Sequence, residues 1–240
     1  MRINLEPHFS HALALGLVLT GCAAEPRPAV SRAWPVMGTM MSAAAWGVDS
    51  ARLARALEAA RDSVDRIDSL LQRRVRIAAL DSLRADIRHR TGIVLVVESL
   101  AAGYALDRAA LALAGIADSA LLDVGGQYLW IGPAARSTSR SVGIPDPDNS
   151  LRTVAHIELR GGSVRTKSES PETHGRARSV TVLAPDGLTA NAWSAAFFLL
   201  GCDSALAATQ RLSVVCADSA GIRWTTDLEK RVVVPTARAP

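Results

Sequence analysis

Lysine is scarce in this chain of 240 residues, and no region of the chain is strongly basic. Lys167 and Lys230 are the only lysines among 27 basic residues, and 23 acidic residues bring the formal net charge to +4. The arginines are interleaved with acidic residues, which is typical of a solvated protein surface. The sequence therefore predicts no nucleic-acid partner.

Cysteine is also scarce. Cys22, Cys202 and Cys216 form neither a C-x-x-C pair nor a Cys/His pattern with the spacing of a zinc site. The pattern therefore excludes the common structural zinc sites. In an oxidising compartment Cys202 and Cys216 could form a disulfide, but two buried free thiols fit the sequence equally well.

The apolar run at residues 12–19 is too short to span a bilayer as a helix. It ends in the sequence LTGC, which resembles a bacterial lipoprotein signal. We expect residues 1–22 to be a signal peptide, cleaved before an acylated Cys22, and residues 23–33 to be a tether. The alternative is an ordinary secretory signal with a chance cysteine. The lipoprotein interpretation places the protein on the periplasmic side of a bacterial membrane, lipid-anchored through Cys22.

The rest of the chain suits one folded domain at residues 34–234, followed by a short tail at 235–240. Hydrophobic residues make up 49% of the chain and charged residues 21%, as in globular proteins with a core. Apolar residues at helical spacing predict an amphipathic helix over residues 50–71 with Ser50 as its N-cap. Residues 72–92 are Arg-rich and helix-like, and Gly92 introduces a predicted strand, IVLVV.

A second set of patterns predicts several strands and another buried helix. The strands are predicted at residues 40–46, 121–124, 128–131, 154–159, 179–184, 212–216 and 230–234. The helix, at residues 188–200, is strongly apolar and carries Asn191 near its first turn. A buried amide needs a partner, so Asn191 should find a hydrogen bond if no metal takes it. Together these elements predict an α+β fold.

The stretch from Leu100 to Pro147 contains the most informative motifs. A helix with small residues at its start is predicted to stop at Gly115, and a short strand then ends in Gly125-Gly126. Both features let a backbone approach a ligand closely, and phosphates favour such places. A tight turn is the simpler explanation for an isolated Gly-Gly pair.

The order of these motifs resembles that of the FAD:protein FMN transferases, the ApbE-type flavin transferases. The resemblance rests on five blocks, which are PVMGT (35–39), A-x-G-Y-A-x-D (101–107), D-x-G-G (123–126), V-G-I-x-D-P (142–147) and SVTVLAPDGLTANAWSAAFFLLG (179–201). The family's fold is α+β, with mixed or antiparallel sheets packed by helices. Such enzymes cleave the pyrophosphate of FAD, attach FMN to a threonine hydroxyl of a target protein with Mg²⁺, and release AMP.

The resemblance implies FAD and a flavin-accepting protein as partners. The residues that it implies for flavin binding are Met37, Gly38, Thr39, Ala102, Gly103, Tyr104, Asp107, Gly125, Gly126 and Thr166. For Mg²⁺ the family supplies a carboxylate and a threonine four residues apart on one helix, together with a backbone carbonyl. The matching positions here are Asn191, Ala195 and Ser99. Because Asn191 lacks the charge and Ala195 lacks the oxygen, we expect magnesium binding to be weak or lost.

Other positions also depart from the family pattern. A Ser/Tyr segment and a G-x-F-D segment are missing, so part of the usual N-terminal lobe is absent, and Ala102 stands where the family has Lys or Glu. The family's His-containing loop is reduced to SESPETHGRA, with Pro171, Thr173 and Gly175 as its remnants. His174 could act as a general base there, although a solvated loop histidine is the favoured interpretation. Lys167 could contact a phosphate, although a surface position is favoured.

Two functions follow from the resemblance. The first is an FMN transferase with a relaxed metal site. The second is a catalytically degenerate member that acts as a membrane-anchored flavin-binding or scaffolding lipoprotein. Family membership favours the first and the residue chemistry favours the second, while a periplasmic binding lipoprotein of other specificity is a minor third option.

Overall fold

The computed structural model describes residues 29–149, 151–170, 174–207 and 212–234. The signal sequence with Cys22, the loop residues Pro171 and Thr173 and the tail at 235–240 lie outside the described residues. Among the described helices, none is both long enough and apolar enough to cross a membrane.

The described chain is an α+β fold, as the sequence predicts. Its strands are β1 (Val30–Val36), β2 (Thr39–Trp46), β3 (Ser119–Val124), β4 (Gln127–Ile131), β5 (Arg140–Pro145), β6 (Thr153–Leu159), β7 (Gly162–Ser168), β8 (Ser179–Ala184), β9 (Ser213–Asp218), β10 (Gly221–Trp224) and β11 (Val232–Val233). Its helices are α1 (Ser50–Gln72), α2 (Ala78–Thr91), α3 (Ala101–Ala110), α4 (Gly187–Leu200) and α5 (Cys202–Ala207).

The strands form two antiparallel sheets. The large sheet has eight strands in the order β1-β2-β3-β4-β7-β8-β9-β10, and the small sheet has three in the order β11-β6-β5. One face of the large sheet carries the helices. Leu57 and Leu106 pack there on β2 and β3, and Ile87 and Phe197 pack on β8 and β9. The opposite face packs on the small sheet around Trp130. The helices and the small sheet therefore bury both faces of the large sheet.

Helix α1 matches its predicted range to within one residue. Its apolar stripe is buried against the large sheet, as helical spacing predicts. The predicted cap is wrong by one position, because Asp49 is the N-cap and its carboxylate accepts a hydrogen bond from the backbone N of Arg52 at 2.9 Å. Asp49 has the extended backbone that an N-cap requires, whereas Ser50 is already helical.

The predicted strand IVLVV does not form. Residues 93–96 have no regular structure, and Val97–Leu100 is a 3₁₀ turn that leads into α3. Leu95 is buried against the α4 side of the core, and its carbonyl accepts a hydrogen bond from Arg84 Nε at 2.6 Å. The apolar side chain of Leu95 is thus buried, but its carbonyl is hydrogen-bonded by the side chain of Arg84 and not by a neighbouring strand.

The other predicted strands are present, and four strands were not predicted. The strand predicted at 230–234 is reduced to the two residues of β11. Residues 30–33, assigned to the tether, pair with β2 as part of β1. The V-G-I-x-D-P motif at 142–147 lies largely in β5, and β7 and β10 are additional. Helix α3 ends at Ala110, so the predicted end at Gly115 is five residues too late.

A disulfide resolves the alternatives for the two cysteines of the domain. Cys202 opens α5 and Cys216 lies in β9, and the two are bonded to each other. Both residues are buried. The bond ties the end of the α4–α5 segment to the strand beneath it, and it closes a loop over a sequence separation of 14. A cross-link of this size typically stabilises a domain by about 3 kcal/mol.

Candidate functional site

Two of the predicted site motifs are tight hairpin turns. Met37 (φ 50°) and Gly38 (φ 71°) connect β1 to β2, and Gly125 (φ 56°) and Gly126 (φ 78°) connect β3 to β4. Two successive residues with positive φ are typical of the type I′ turn, which matches the twist of a hairpin. The D-x-G-G motif therefore forms a tight turn, which was the simpler of the two explanations for its Gly-Gly pair.

These two turns lie side by side at one end of the large sheet. Strands β2 and β3 are neighbours, and the backbone N of Gly125 donates to the carbonyl of Met40 at 3.1 Å. A Cβ placed on Gly125 would lie 3.3 Å from the side chain of Thr39. The PVMGT and D-x-G-G motifs therefore meet in space, although they are more than 80 residues apart in the chain.

Gly103 is the contact point between α3 and α4. A Cβ added to Gly103 would lie 2.7 Å from the carbonyl carbon of Gly187 and 2.8 Å from Cβ of Asn191. Helix α4 therefore occupies the space that a side chain would need. The glycine allows close helix packing, and this packing places Asn191 against α3. Ala102 and Tyr104 on either side of it are half-buried, and Tyr104 contacts both helix-side parts of the core.

Asp107 joins the same two helices through hydrogen bonds. Its two carboxylate oxygens accept from the backbone N of Gly187 at 2.6 Å and of Leu188 at 2.8 Å. Asp186 caps the helix as well, accepting from the backbone N of Thr189 at 2.7 Å. Burial raises the pKa of Asp107 to about 6 despite the opposing effect of these hydrogen bonds. The N-terminus of α4 is thus occupied by two carboxyl groups, so it is closed to a phosphate.

Gln127 connects this helix pair to the hairpin turns, and sequence analysis did not single it out. Its fully buried side chain donates from Nε2 to the carbonyl of Gly187 at 2.7 Å and to Ser163 Oγ at 3.2 Å. It directly follows Gly126, so it brings the β3–β4 turn next to the contact of α3 and α4. Its alternation with buried Leu129 is the sequence signal that could have indicated an inward-facing position.

The three positions that match the family's metal ligands offer little to a magnesium ion. Asn191 and Ala195 are buried on α4, and among the described residues the Asn191 side chain makes no hydrogen bond. The partner expected for that amide is thus not found. The hydroxyl of Ser99 donates to the carbonyl of Val96 at 2.7 Å.

No group of three or more His, Cys, Asp or Glu side chains in the described part of the chain could hold a metal ion. Mg²⁺ prefers an octahedral set of oxygens that includes carboxylates. At the family position this chain offers one neutral side-chain oxygen, on Asn191, and none on Ala195. The residues present therefore do not fit Mg²⁺.

A cavity of about 400 Å³ lies between the two sheets, and we call it the inter-sheet cavity. It is lined by the Gly125-Gly126 turn, by residues 142–145 of β5 and by Thr166 of β7. Thr166 Oγ1 is hydrogen-bonded to Thr181 Oγ1 at 2.8 Å. Two of the predicted motifs and Thr166 thus share one cavity, whereas Met37, Gly38 and Thr39 line a separate pocket.

A larger, open cavity of about 1110 Å³ is found elsewhere. It is lined by Leu111, Gly132, Arg136, Arg160 and Arg231, among others, and by none of the predicted site residues. Gly125, Gly126 and Thr166 therefore point to the smaller cavity, which residues 102–107 do not line.

Arg165 of β7 lies beside the Gly-Gly turn, and Lys167 is two residues further along the same strand. Arg165 Nη1 donates to the carbonyl of Gly125 at 2.6 Å, and Asp123 accepts from the backbone N of Gly126 at 2.9 Å. Burial raises the pKa of Asp123 and lowers that of Arg165. Burial, and then the charge of Arg165, lower the pKa of Lys167. Lys167 is half-buried, so it lies at the surface only in part.

None of the described histidines lines the inter-sheet cavity. His174 is exposed, and its Nδ1 lies 3.4 Å from a carboxylate oxygen of Glu169. This position agrees with a solvated loop histidine rather than a general base. His89 is exposed on α2.

Solved structures that resemble this fold include flavin transferases. The flavin transferase ApbE from Vibrio cholerae superposes with a TM-score of 0.65 at 14% identity, over 84% of this chain and 98% of that one. The ApbE protein from Thermotoga maritima gives a TM-score of 0.61 at 15% identity, over 84% and 98%. The Pseudomonas stutzeri flavinyl transferase ApbE gives 0.60 at 16% identity, over 84% and 96%. At such identities the likeness shows the fold, and it confirms the predicted fold class.

None of the curated proteins matches the chain. The model of the ApbE family matches residues 35–217. This range begins at PVMGT and ends in β9, so it contains all five motif blocks. The chain therefore belongs to the ApbE family.

Proposed function

We propose that this protein is a flavin transferase that moves FMN from FAD to a threonine hydroxyl of a target protein. The observation that carries the proposal is the inter-sheet cavity, where the Gly125-Gly126 turn, β5 and Thr166 come together. Its volume of about 400 Å³ is within the range of small-molecule sites, roughly 300–1,000 Å³. Membership of the ApbE family supports a flavin as the ligand.

The proposed reaction is a phosphoryl transfer. The threonine oxygen of the target forms a bond to the phosphorus of the FMN half, and the bond from that phosphorus to the AMP oxygen breaks. AMP leaves, and the hydroxyl proton passes to solvent. Catalysis of such a transfer depends mainly on positioning and on neutralising the phosphate oxygens. No step is assigned to Mg²⁺, because the residues at Asn191 and Ala195 do not fit it.

A second candidate function is flavin binding without transfer. The observation that favours it is the replacement of two metal-ligand positions by Asn191 and Ala195 on a buried helix face. A protein of this kind would retain a flavin nucleotide and release no AMP. It would then serve as a binding or scaffolding lipoprotein.

The two functions are separated by incubating the full-length protein with FAD and a threonine-bearing acceptor protein. We expect flavin absorbance to co-purify with the protein, AMP to be released and the acceptor to gain the mass of FMN. Retained flavin without AMP would support the second function instead. If the protein neither retains flavin nor releases AMP, both proposed functions are contradicted.

Restoring the metal ligands gives a sharper test. We expect Asn191→Asp together with Ala195→Thr to make AMP release respond to Mg²⁺. An added carboxylate near a dication is worth a few kcal/mol at an effective dielectric of about 20, so the increase should be about tenfold or more. The measurement is the rate of AMP release at fixed FAD with and without Mg²⁺.

A matched control uses the same change of residue at an exposed turn. Asn149 is exposed, and its Oδ1 accepts from the backbone N of Leu151 at 3.1 Å, a contact that aspartate keeps. Asn149→Asp should therefore leave Mg²⁺ dependence unchanged. If the double variant is also unchanged while it still binds FAD, a missing metal site is not what limits transfer.

We also propose that the protein is anchored by lipid at Cys22 on the periplasmic side of a bacterial membrane. The LTGC sequence supports the anchor, and the disulfide between Cys202 and Cys216 supports an oxidising compartment. We expect the protein in the membrane fraction and Cys22→Ala in the soluble fraction. Wild-type protein in the soluble fraction would contradict the anchor.

A further inference from the structure

Arg165 and Lys167 point to the helix side of the large sheet. They are two residues apart on β7, so their side chains leave the strand on the same face. In register, Arg165 is opposite Gln127 and Lys167 is opposite Val180. Gln127 contacts the start of α4 and Val180 packs in the cluster that contains α4. The face that carries the two basic residues is therefore the one on which α4 packs, with Asn191 and Ala195.

Neither basic side chain forms an ion pair in the described part of the chain, although the charge of Asp123 acts on Arg165. Among the described residues, no carboxylate oxygen lies within 4.0 Å of a side-chain nitrogen of Arg165 or Lys167. The side chain of Arg165 makes one hydrogen bond, to the carbonyl of Gly125, and its buried Nε has no partner among the described residues. Lys167 makes none. Lys167 is half-buried without an acidic group beside it, and the charges of Lys167 and Arg165 repel each other, so this arrangement favours a bound anion.

Within the described ranges, no neighbouring element offers another site for the anion. The N-terminus of α4, which could otherwise attract a phosphate, is occupied by Asp107 and Asp186. A magnesium ion does not fit at Asn191. Arg165 also lines the inter-sheet cavity, so it links the cavity to the helix face where Lys167 lies.

We propose that Arg165 and Lys167 bind the phosphate groups of the flavin nucleotide directly, so that this member of the family holds its nucleotide without a divalent cation. The inference rests on the proposed function, since it names how the same ligand is held. Two fixed positive charges replace the charge of one dication. The planar guanidinium suits phosphate oxygens in two-point contact, and the ammonium acts as a point charge.

Metal independence is tested on the wild-type full-length protein. FAD binding is measured by flavin fluorescence in EDTA and in Mg²⁺, and we expect the two dissociation constants to agree within about twofold. Riboflavin, which lacks phosphate, should bind at least about a hundredfold more weakly than FAD, because it loses the contacts of both side chains and each is worth about tenfold or more. Loss of FAD binding in EDTA would overturn the inference and leave the proposed function standing.

The role of the two residues is tested with Arg165→Gln and Lys167→Gln. Each should weaken FAD binding about tenfold or more and leave riboflavin binding unchanged. Arg160→Gln and Lys230→Gln remove the same charges at exposed positions and should have no effect. FAD affinity that is unchanged in both site variants would overturn the inference.

Inorganic pyrophosphate separates this inference from the proposed function. It should compete with FAD in the wild type, and its own binding should be weakened in both site variants. If FAD does not bind but pyrophosphate binds through these residues, the flavin function fails and the anion site stands. If neither ligand binds, both proposals fail. Thermal unfolding of each variant shows whether it is folded, and the EDTA experiment needs no variant.

Discussion

Replacing Gly103 by alanine is expected to force α3 and α4 apart and to lower the free energy of unfolding by about 3 kcal/mol or more. The added Cβ would lie 2.7 Å from the carbonyl carbon of Gly187 and 2.8 Å from Cβ of Asn191. Both obstacles belong to the backbone or to a short buried side chain, so no flexible group can move aside. The measurement is a urea unfolding curve of the full-length protein.

The clash has consequences beyond stability. Gly187 accepts the hydrogen bond from Gln127 and donates to Asp107, so a displaced α4 would break both contacts. FAD retention should therefore fall in the same variant. The reciprocal change, Gly187→Ala, places its Cβ 2.9 Å from Asp107 Oδ1 and should have a similar effect.

The control lies on the same helix. Arg108 is exposed, and Arg108→Ala should change the free energy of unfolding by no more than about 0.5 kcal/mol. Wild-type stability in Gly103→Ala would show that the two helices do not meet at this glycine.

Periodicity predicted the parts of the fold that local pattern determines. The stripe of α1 and the apolar run of α4 each gave a helix within one residue of its bounds, because a buried face repeats at the helical period. Strand β8 was also predicted with its bounds, since all six of its residues are buried in the middle of the large sheet.

Strand pairing over long distances was not predictable. The apolar segment at 93–96 reads as a strand, but no neighbouring strand is available to it, and Arg84 satisfies the carbonyl of Leu95 instead. The polar residues of β1 read as a tether, but β1 gains its partner from β2. In both cases the outcome depends on which strands become neighbours, and local sequence does not encode that.

The candidate site was predicted in part for the same reason. The motifs at Gly125 and Thr166 were recognised, and the structure brings both to one cavity. Gln127 was missed and Lys167 was assigned to the surface, because their roles depend on β4 and β7 being neighbours that face α4. That pairing spans about 40 residues and has no local signal.

Replacing Asp107 by asparagine is expected to lower the free energy of unfolding by about 1–3 kcal/mol. The aspartate accepts hydrogen bonds from the backbone N of both Gly187 and Leu188, whereas asparagine has only one oxygen. One N–H at the start of α4 would then face an amide NH₂ and lose its acceptor. Asp49→Asn is the control, because this exposed N-cap keeps an acceptor for Arg52 and should change stability by less than about 0.5 kcal/mol.

The cost of this substitution should depend on pH with a definite sign. Burial raises the pKa of Asp107 from 3.8 to about 6. Between these values the folded protein holds a proton that the unfolded chain has lost, so the stability contributed by Asp107 falls as the pH rises from about 4 to about 6. Asparagine does not titrate, so the difference in stability between wild type and Asp107→Asn should be largest near pH 4 and smallest above about pH 7. Urea midpoints at a series of pH values measure it, and a difference that grows with pH would show that the folded state favours the ionised carboxylate.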